Sequence, residues 1–500
     1  MSRSADVAVI GSGVAGSLIA WKLSQQGRRV VIFESGPTRS RQQLYQGYLK
    51  KGNDHFYPPV PEVFNALTEA EESEKAFQYF NVLRLAGGTT WHWGGTCLRF
   101  VEDDFELKSR YGVGVDWPIS YQEILPYYRE AEKELGVSGD FPESLPHTSP
   151  TYCDKRFVAA GERVGMPMTH MPIARLRDSY DGRPGCAGFN NCWPICPTGA
   201  HYAAIVHLEK AMAAGAELRP EALVTQLKEG RKGKIETLTY RNAAGESHDF
   251  RASQFILAAN GVENVRLLML SKLASKSNAL GHYLMTHPGG EVFFHANEPL
   301  YSGRGPRTGY GYFGLTSGAH RSEDASGYFN VSNVIDPVRD LADLEAKGFL
   351  GKAFGDAFYE RIIHQAKMYL SVEQLPEYKN HLRLDFDQKD ITGLPKLVAF
   401  CPTDSYSERG LTQMKRSALK LAEAMGCKDF QYSTKTDESH IMGATRMGTD
   451  EVESVVDPNC CSHEHRNLFV LGGSVFPTGS CVNPTLTIAA LTLRLARHFK

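Results

Sequence analysis

Apolar positions form short runs that end in glycine and lead into helix-like stretches, and this arrangement occurs three times along the chain. The first copy is a strand at 5–10, a glycine turn, a helix at 17–26 and a second strand at 29–34. The strand, glycine and helix pattern returns at 255–270 and 467–499. Buried parallel strands are apolar throughout because helices cover both faces of their sheet. The pattern predicts one α/β domain assembled from distant portions of the chain.

From 290 to 435 the pattern changes to alternating strands and turns, with a helical stretch near 340–370 and a helix at 410–425. Such alternation is typical of an antiparallel sheet. We therefore predict an α/β plus α+β fold, in which a discontinuous Rossmann-like domain is joined to a domain built on an antiparallel sheet. The predicted boundaries are 1–50, 80–100, 215–290 and 455–500 for the nucleotide-binding domain, 290–455 for the antiparallel domain, and 139–200 for a cysteine-containing region of loops.

The first glycine turn has the chemistry of a dinucleotide site. Gly11 permits a tight turn, Gly13 lets backbone N–H groups approach a pyrophosphate, and Gly16 lets helix and strand pack closely. Glu34 ends the second strand, where a carboxylate accepts hydrogen bonds from an adenosine ribose. Glycines often serve turns alone, but here strand, turn, helix, strand and acid follow in register. The residues predict a dinucleotide and leave NAD and FAD open.

A second glycine-dense passage contains Gly87, Gly88 and Gly94, together with His92 and two tryptophans. Glycines at this density indicate a backbone pressed close to a partner, and the aromatic rings indicate that the partner is large and flat. Gly473 ends the last apolar strand in the same way as the first turn. All these positions are predicted to contact the dinucleotide.

Composition excludes several classes of partner. With 55 basic and 57 acidic side chains the formal charge is -2, so no bulk field attracts nucleic acid or an anionic membrane. No apolar run approaches the roughly 20 residues that span a bilayer, and the N-terminus shows no charged-then-apolar leader. We expect no nucleic-acid partner, and membrane association only through other proteins.

Three of the ten cysteines are clustered as C-x5-C-x3-C at Cys186, Cys192 and Cys196. Three thiolates on one loop suit an iron–sulfur cluster, although the spacing differs from that of ferredoxins. Zinc is an alternative, but structural zinc takes four ligands and only His201 and Cys153 are near candidates for the fourth. Buried thiols or a disulfide remain the plain alternative.

The ordered segments along the chain resemble the glucose-methanol-choline family of FAD-dependent oxidoreductases. The segments that carry the resemblance are GSGVAG with VIFESG, LAGGTTWHWGGTCLRF, FILAANGVENVRLLMLS, and HIMGATRMG followed by NLFVLGGSVFPTGSCVNPTLTIAALTLRLA. Within the family, DGRPGCAGFNNCWPICPTGAHY is similar to catalytic subunits of bacterial sugar dehydrogenases that act on glucose, fructose or sorbitol. The resemblance implies FAD rather than NAD, and a substrate site in the antiparallel domain.

The resemblance also implies roles for individual residues. His440 matches the catalytic histidine, which accepts the hydroxyl proton while hydride leaves for the flavin, and Asn483 matches its partner. His92 matches a histidine that is bonded covalently to the flavin in pyranose oxidases, and a non-covalent contact is equally open. His287 is interpreted as structural. Possible substrate contacts are Tyr310, Tyr312, Tyr328 and Asn330, which more often pack than recognise.

For the electrons, the resemblance implies a three-iron, four-sulfur cluster on Cys186, Cys192 and Cys196 that passes them to a cytochrome c subunit. Relatives often carry a second cysteine where this chain has Ala187. A one-electron carrier suits a sugar or polyol dehydrogenase with a cytochrome or quinone acceptor, and an oxygen-using sugar or alcohol oxidase is the alternative. The resemblance further implies a small chaperone-like subunit, whose twin-arginine signal would carry the chain to the periplasmic face of the inner membrane, and a multihaem cytochrome c subunit. A cytoplasmic location is the alternative.

Overall fold

The structure is a computed structural model that describes residues 4–51, 68–70, 82–142, 144–427 and 430–499. Its helices are α1 Val14–Gln25, α2 Arg41–Lys51, α3 Glu102–Phe105, α4 Leu107–Tyr111, α5 Tyr121–Leu135, α6 Tyr152–Arg163, α7 Ile205–Ala213, α8 Glu263–Ser271, α9 Pro337–Ala346, α10 Gly351–His364, α11 Ser405–Ala424 and α12 Thr485–His498. None of the described helices has the length and apolarity to cross a membrane.

The strands lie in three sheets. They are β1 Ser4–Ile10, β2 Val30–Phe33, β3 Thr68–Ala70, β4 Thr169–His170, β5 Glu217–Arg219, β6 Leu223–Glu229, β7 Ile235–Arg241, β8 Ser247–Leu257, β9 Met285–His295, β10 Thr308–Leu315, β11 Gly327–Ser332, β12 Gln365–Val372, β13 His381–Lys389, β14 Pro395–Phe400, β15 Phe430–Met442 and β16 Leu468–Val470.

The first sheet, called here the nucleotide sheet, has seven strands among the described residues. Their order is β5-β2-β1-β8-β7-β6, and β16 also pairs with β8. The pairs β1–β2, β1–β8, β2–β5 and β8–β16 are parallel, whereas β7 is antiparallel to both β6 and β8. Strands from the first, middle and last portions of the chain therefore meet in one sheet, which confirms the discontinuous Rossmann-like domain.

The second sheet, called here the substrate sheet, contains six described strands in the order β15-β9-β12-β11-β10-β4. All its pairs are antiparallel, as predicted. A small third sheet joins β13, β14 and β3. The predicted domain boundaries stay a prediction, since the sheets establish the class of fold rather than its limits.

Each of the two large sheets packs its own core. Val9, Leu18, Leu257 and Leu491 are buried around the nucleotide sheet, where α1, α5, α7 and α12 pack. The substrate sheet buries a second cluster against α6 and α11, which includes Phe157, Phe294, Phe329, Met414 and Leu421. The first cluster also includes Met285, Tyr328 and Met442 from strands of the substrate sheet, so the two sheets meet there, along a boundary called here the seam.

Two predicted elements differ from the structure. The region 139–200 is not all loop, because α6 lies within it, and the side chain of Thr151 caps the backbone N–H of Asp154 while Asp154 returns the bond. The helical stretch near 340–370 is two helices, and from Gln365 onward it is strand β12. The second helix ends there because β12 pairs with β9 and β11, a long-range contact that overrides local preference.

Candidate active site

The first glycine turn forms an open, positively polarised cradle. Gly11 has φ +101°, and a Cβ there would lie 2.4 Å from the carbonyl oxygen of Ala258, while a Cβ on Gly16 would lie 2.0 Å from the carbonyl oxygen of Gly11. Gly13 is different, because no atom lies within 4 Å of its Cβ position. Gly13 is also the N-cap of α1, and neither a capping side chain nor an acidic residue occupies the first turn. These features leave room and N–H groups for a pyrophosphate.

Glu34 and Ser12 tie the two glycine passages together. The Ser12 hydroxyl donates to the Glu34 carboxylate at 2.6 Å and accepts the backbone N–H of Gly87 at 3.1 Å. The other carboxylate oxygen accepts the backbone N–H of Gly36 at 2.8 Å. Burial raises the pKa of Glu34 in spite of these bonds. Glu34 therefore faces the cavity and also holds the two glycine passages together through Ser12. In the sequence, the only sign of this second role is the serine inside the first glycine turn.

The second glycine passage packs against the first. Gly87 and Gly88 have φ of +91° and +61°, and a Cβ on Gly88 would lie 3.0 Å from the Cα of Gly13. Gly94 has open space around its Cβ position, with the nearest atom, the Thr96 hydroxyl, at 4.0 Å. His92 is 2% exposed and lines the cavity between these glycines.

One continuous cavity of about 890 Å³ is lined by most of the predicted residues, namely Gly11, Gly13, Glu34, Gly88, His92, Gly94, Gly473, His440 and Asn483. Gly16 and Gly87, which were also predicted to bind the dinucleotide, do not line it. Its size is that of pockets that enclose a large ligand. The structure thus places the predicted dinucleotide end and the predicted catalytic end in the same space.

His440 and Asn483 meet at the seam between the two sheets. His440 lies near the end of β15 in the substrate sheet, and Asn483 lies two residues before α12. Their side chains, 43 residues apart in sequence, place His440 Nε2 3.0 Å from Asn483 Nδ2. The Oδ1 atom of Asn483 accepts the hydroxyl of Tyr328 at 2.9 Å. A ring nitrogen and an amide therefore face the same end of the cavity.

His287 lies directly behind His440. Its Nδ1 atom is 2.9 Å from Nδ1 of His440, and its Nε2 atom is 3.0 Å from the carbonyl oxygen of Ser480. His287 is 1% exposed on β9. The interpretation of His287 as structural gave no indication of this contact.

The other predicted contacts divide into two groups. Tyr328 and Asn330 line the cavity, whereas Tyr310 and Tyr312 do not line it and pack against the core of the substrate sheet. Sequence patterns missed the cavity-lining residues Arg175, Trp193, Arg307 and Tyr369. Arg307 donates to the carbonyl oxygen of Trp193 at 3.3 Å and lies over its ring.

Two family models cover most of the chain. The N-terminal model of the GMC oxidoreductases matches residues 6–289, and the C-terminal model matches 376–492. The chain belongs to the GMC oxidoreductase family. It is 34% identical to the fructose dehydrogenase large subunit of Gluconobacter japonicus, over 99% of this chain and 97% of that protein. It is 25% identical to the gluconate 2-dehydrogenase flavoprotein of Pantoea cypripedii, over 100% of this chain and 94% of that protein.

A solved structure of pyridoxine 4-oxidase from Mesorbium loti has the same fold, with a TM-score of 0.68 and 17% identity over 99% of each chain. Family membership confirms the resemblance and supports FAD as the cofactor of this GMC oxidoreductase. The open space at Gly13 and the uncapped start of α1 fit the pyrophosphate of FAD.

The three clustered cysteines of this GMC oxidoreductase have mixed surroundings. Burial disfavours the Cys196 thiolate, yet the backbone N–H groups of His201, Gly199 and Thr198, with the Thr198 hydroxyl, lower the pKa of its thiol. Burial raises the pKa of the Cys186 thiol, although the backbone N–H of Gly188 donates to its sulfur at 3.4 Å.

Cys192 lines the cavity next to Arg175. Arg175 is 2% exposed, and its guanidinium points at the Cys192 sulfur from 4.0 Å. Its other hydrogen bonds go to the hydroxyl of Thr148 and the carbonyl of Thr308, so none of these goes to a carboxylate. This geometry places a buried positive charge beside the Cys192 sulfur.

The structure bears on the two other interpretations of the clustered cysteines, a disulfide and a zinc site. None of the ten cysteines forms a disulfide in the structure. Cys153 packs against Ser302 instead of joining the cluster, and the ring of His201 abuts Gly95. Throughout the described ranges no group of three or more His, Cys, Asp or Glu side chains is arranged to hold a metal ion. The loop supplies three thiols, the ligands that an iron–sulfur cluster takes, but in this structure their side chains do not converge on one point.

Proposed function

We propose that this GMC oxidoreductase is an FAD-dependent dehydrogenase that oxidises a hydroxyl group of a sugar or polyol. The observation that carries the proposal is the 3.0 Å pair of His440 Nε2 and Asn483 Nδ2, which lines the same cavity as the glycine turn of Gly11 and Gly13. The names of its relatives support the substrate class, since fructose dehydrogenase and gluconate 2-dehydrogenase are both among them.

The protein supplies a base and a clamp for the reacting hydroxyl. FAD, when bound, supplies the acceptor for the hydride that leaves carbon. His440 Nε2 takes the hydroxyl proton, and the Asn483 amide donates to the same oxygen without adding a charge. The Tyr328 hydroxyl holds Asn483 Oδ1, which keeps the amide N–H group turned toward His440.

The walls of the cavity suit a ligand rich in hydroxyl groups. Tyr328, Asn330, Arg307 and Tyr369 all line it, and each carries a polar atom on a flat side chain. Convergent hydrogen-bonding groups on a rigid sheet are the usual means of orienting a polar ligand.

Reduction of the flavin by substrate tests this function. We expect at least one compound in a panel of aldoses, ketoses, polyols and sugar acids to bleach the flavin under anaerobic conditions. Stopped-flow absorbance gives the rate, and a redox dye as final acceptor gives turnover. A panel that leaves the flavin fully oxidised would contradict the proposal. Reoxidation by air at the rate of dye turnover would favour the alternative, an oxygen-using oxidase.

We propose further that the electrons leave the reduced flavin through an iron–sulfur cluster held by Cys186, Cys192 and Cys196. Its support is the resemblance to sugar dehydrogenases, the N–H groups around Cys196 and the buried cation at Cys192. Such a cluster supplies a one-electron carrier between a flavin and a cytochrome or quinone. The same thiols bound to zinc would carry no electrons.

Metal analysis tests the cluster. We expect protein purified without oxygen to contain iron and acid-labile sulfide in the ratio of a three-iron, four-sulfur cluster, and Cys192→Ser to lose both. Cys427→Ser is the matched control, because Cys427 is a partly buried cysteine packed against the other core. Zinc in place of iron, or protein with neither iron nor sulfide, would contradict the cluster.

We also propose that this chain works in an assembly at the periplasmic face of the inner membrane. A small signal-bearing subunit would export it with its cofactors, and a multihaem cytochrome c subunit would accept its electrons. The support is the relative named as a large subunit, which implies smaller ones.

A further inference from the structure

A line of four hydrogen bonds runs through the base of the cavity. It joins the carbonyl oxygen of Ser480 to His287, His287 to His440, His440 to Asn483, and Asn483 to Tyr328. The two imidazole rings are almost perpendicular, with an interplanar angle of 73° and centroids 4.9 Å apart. This geometry brings the two Nδ1 atoms edge to edge, so that one must donate to the other.

The carbonyl of Ser480, at one end of the line, determines which atom donates in each of the next hydrogen bonds. A carbonyl oxygen only accepts, so Nε2 of His287 carries a hydrogen. A neutral imidazole with hydrogen on Nε2 has an unprotonated Nδ1. Nδ1 of His287 therefore accepts the Nδ1–H of His440.

The other end, with the Asn483 amide oriented as in the structure, gives the same direction. The Tyr328 hydroxyl donates to Asn483 Oδ1, which leaves Nδ2 of Asn483 toward His440. An amide nitrogen only donates, so Nε2 of His440 is unprotonated and accepts. A neutral His440 then carries its hydrogen on Nδ1, in agreement with the direction set at Ser480.

We propose that His287 is a positioning residue that holds His440 in the tautomer with hydrogen on Nδ1, and so keeps Nε2 ready to accept the substrate proton. This inference rests on the proposed function. In the step, the substrate O–H bond breaks and an Nε2–H bond forms on His440. The C–H bond of the carbon that bears this oxygen breaks as its C=O bond forms, and the hydride with its electron pair would pass to oxidised FAD when that cofactor is bound. The imidazolium still donates its Nδ1–H to His287, and this hydrogen bond supports the positive charge.

The carbonyl of Ser480 is itself held in place. Ser480 has φ +53° and is buried. Its side chain bonds the carboxyl of Asp104, which is paired with the buried guanidinium of Arg321 at 2.8 Å. On the next residue, the carbonyl of Cys481 accepts the hydroxyl of Ser371 at 2.9 Å. The acceptor that orients His287 therefore belongs to a rigid, buried segment.

Two substitutions of His287 distinguish a residue that positions His440 from one that only fills space. His287→Asn places Oδ1 where Nδ1 stood and keeps an acceptor for His440, whereas His287→Leu removes the acceptor but fills the space. We expect the leucine variant to retain FAD and to reduce it at least about tenfold more slowly at saturating substrate, with little change in half-saturation. The asparagine variant should recover most of that loss. Equal rates in the two variants, whether both normal or both low, would overturn the inference.

A measurement without substrate keeps this test independent of the proposed function. In protein labelled with ¹⁵N-histidine, side-chain NMR spectra report which ring nitrogen carries hydrogen, and His440→Gln identifies the signals of His440. We expect hydrogen on Nδ1 of His440 in the unaltered protein and in His287→Asn, and a mixture or the opposite tautomer in His287→Leu. The same tautomer in all three would overturn the inference, whereas failure of every substrate would count only against the proposed function.

Discussion

His440→Ala is expected to lower the rate of flavin reduction by substrate by about 10²- to 10⁴-fold, while FAD remains bound. The substitution removes Nε2, the atom that lies 3.0 Å from the Asn483 amide and faces the cavity. The glycine turns that hold the other end of the cavity, from Gly11 to Gly16, are untouched. The loss should therefore appear in the reduction rate and not in the flavin content.

Anaerobic stopped-flow reduction measures this rate, and the absorbance ratio of flavin to protein measures FAD content. His248→Ala is the control, since this exposed histidine on β8 is remote from the cavity lining. Near-normal reduction in His440→Ala would rule out His440 as the base. Loss of FAD from His440→Ala would contradict the expectation that the glycine turns hold the cofactor without His440.

Gly11→Ala is expected to yield protein without FAD. The positive φ of +101° alone costs an alanine about 1–2 kcal/mol. The larger effect is steric, because the new Cβ would lie 2.4 Å from the carbonyl oxygen of Ala258 and 2.9 Å from the Cα of Ala259. Both neighbours are backbone at the end of β8, so the turn itself must move away from the pyrophosphate position.

Gly27→Ala is the matched control for this substitution. Gly27 also has a positive φ, of +80°, but no atom lies within 4 Å of its Cβ position. We expect that variant to bind FAD fully and to lose about 1 kcal/mol of stability. Flavin absorbance and thermal unfolding distinguish the two, and a Gly11→Ala protein with a full complement of FAD would show that the turn tolerates a side chain.

The sequence predicted best where the chemistry is local. Gly11, Gly13, Gly16 and Glu34 lie within one βαβ unit, and short-range steric rules determine what such a turn is able to hold. The pairing of His440 and Asn483 could not be predicted from local sequence, because no spacing rule brings together residues 43 positions apart. It was predicted only from the family resemblance.

What the sequence missed depends on long-range contacts. His287 meets His440 across 153 positions, through the pairing of β9 with β15. Ser12 reaches Gly87 across 75 positions. By contrast, helix α6 had a local signal in the reciprocal cap of Thr151 and Asp154, and the abundance of loop-forming residues around it obscured that signal.

The position of His440 and Asn483 on opposite sides of the seam has a mechanical consequence. His440 is carried by β15 of the substrate sheet, whereas Asn483 is carried by the segment that leads into α12 behind the nucleotide sheet. A separation of the two sheets by about an ångström along this 3.0 Å contact would stretch it beyond hydrogen-bond length. His440 and Asn483 therefore stay within hydrogen-bond distance only when the two sheets keep the relative position that they have in the structure.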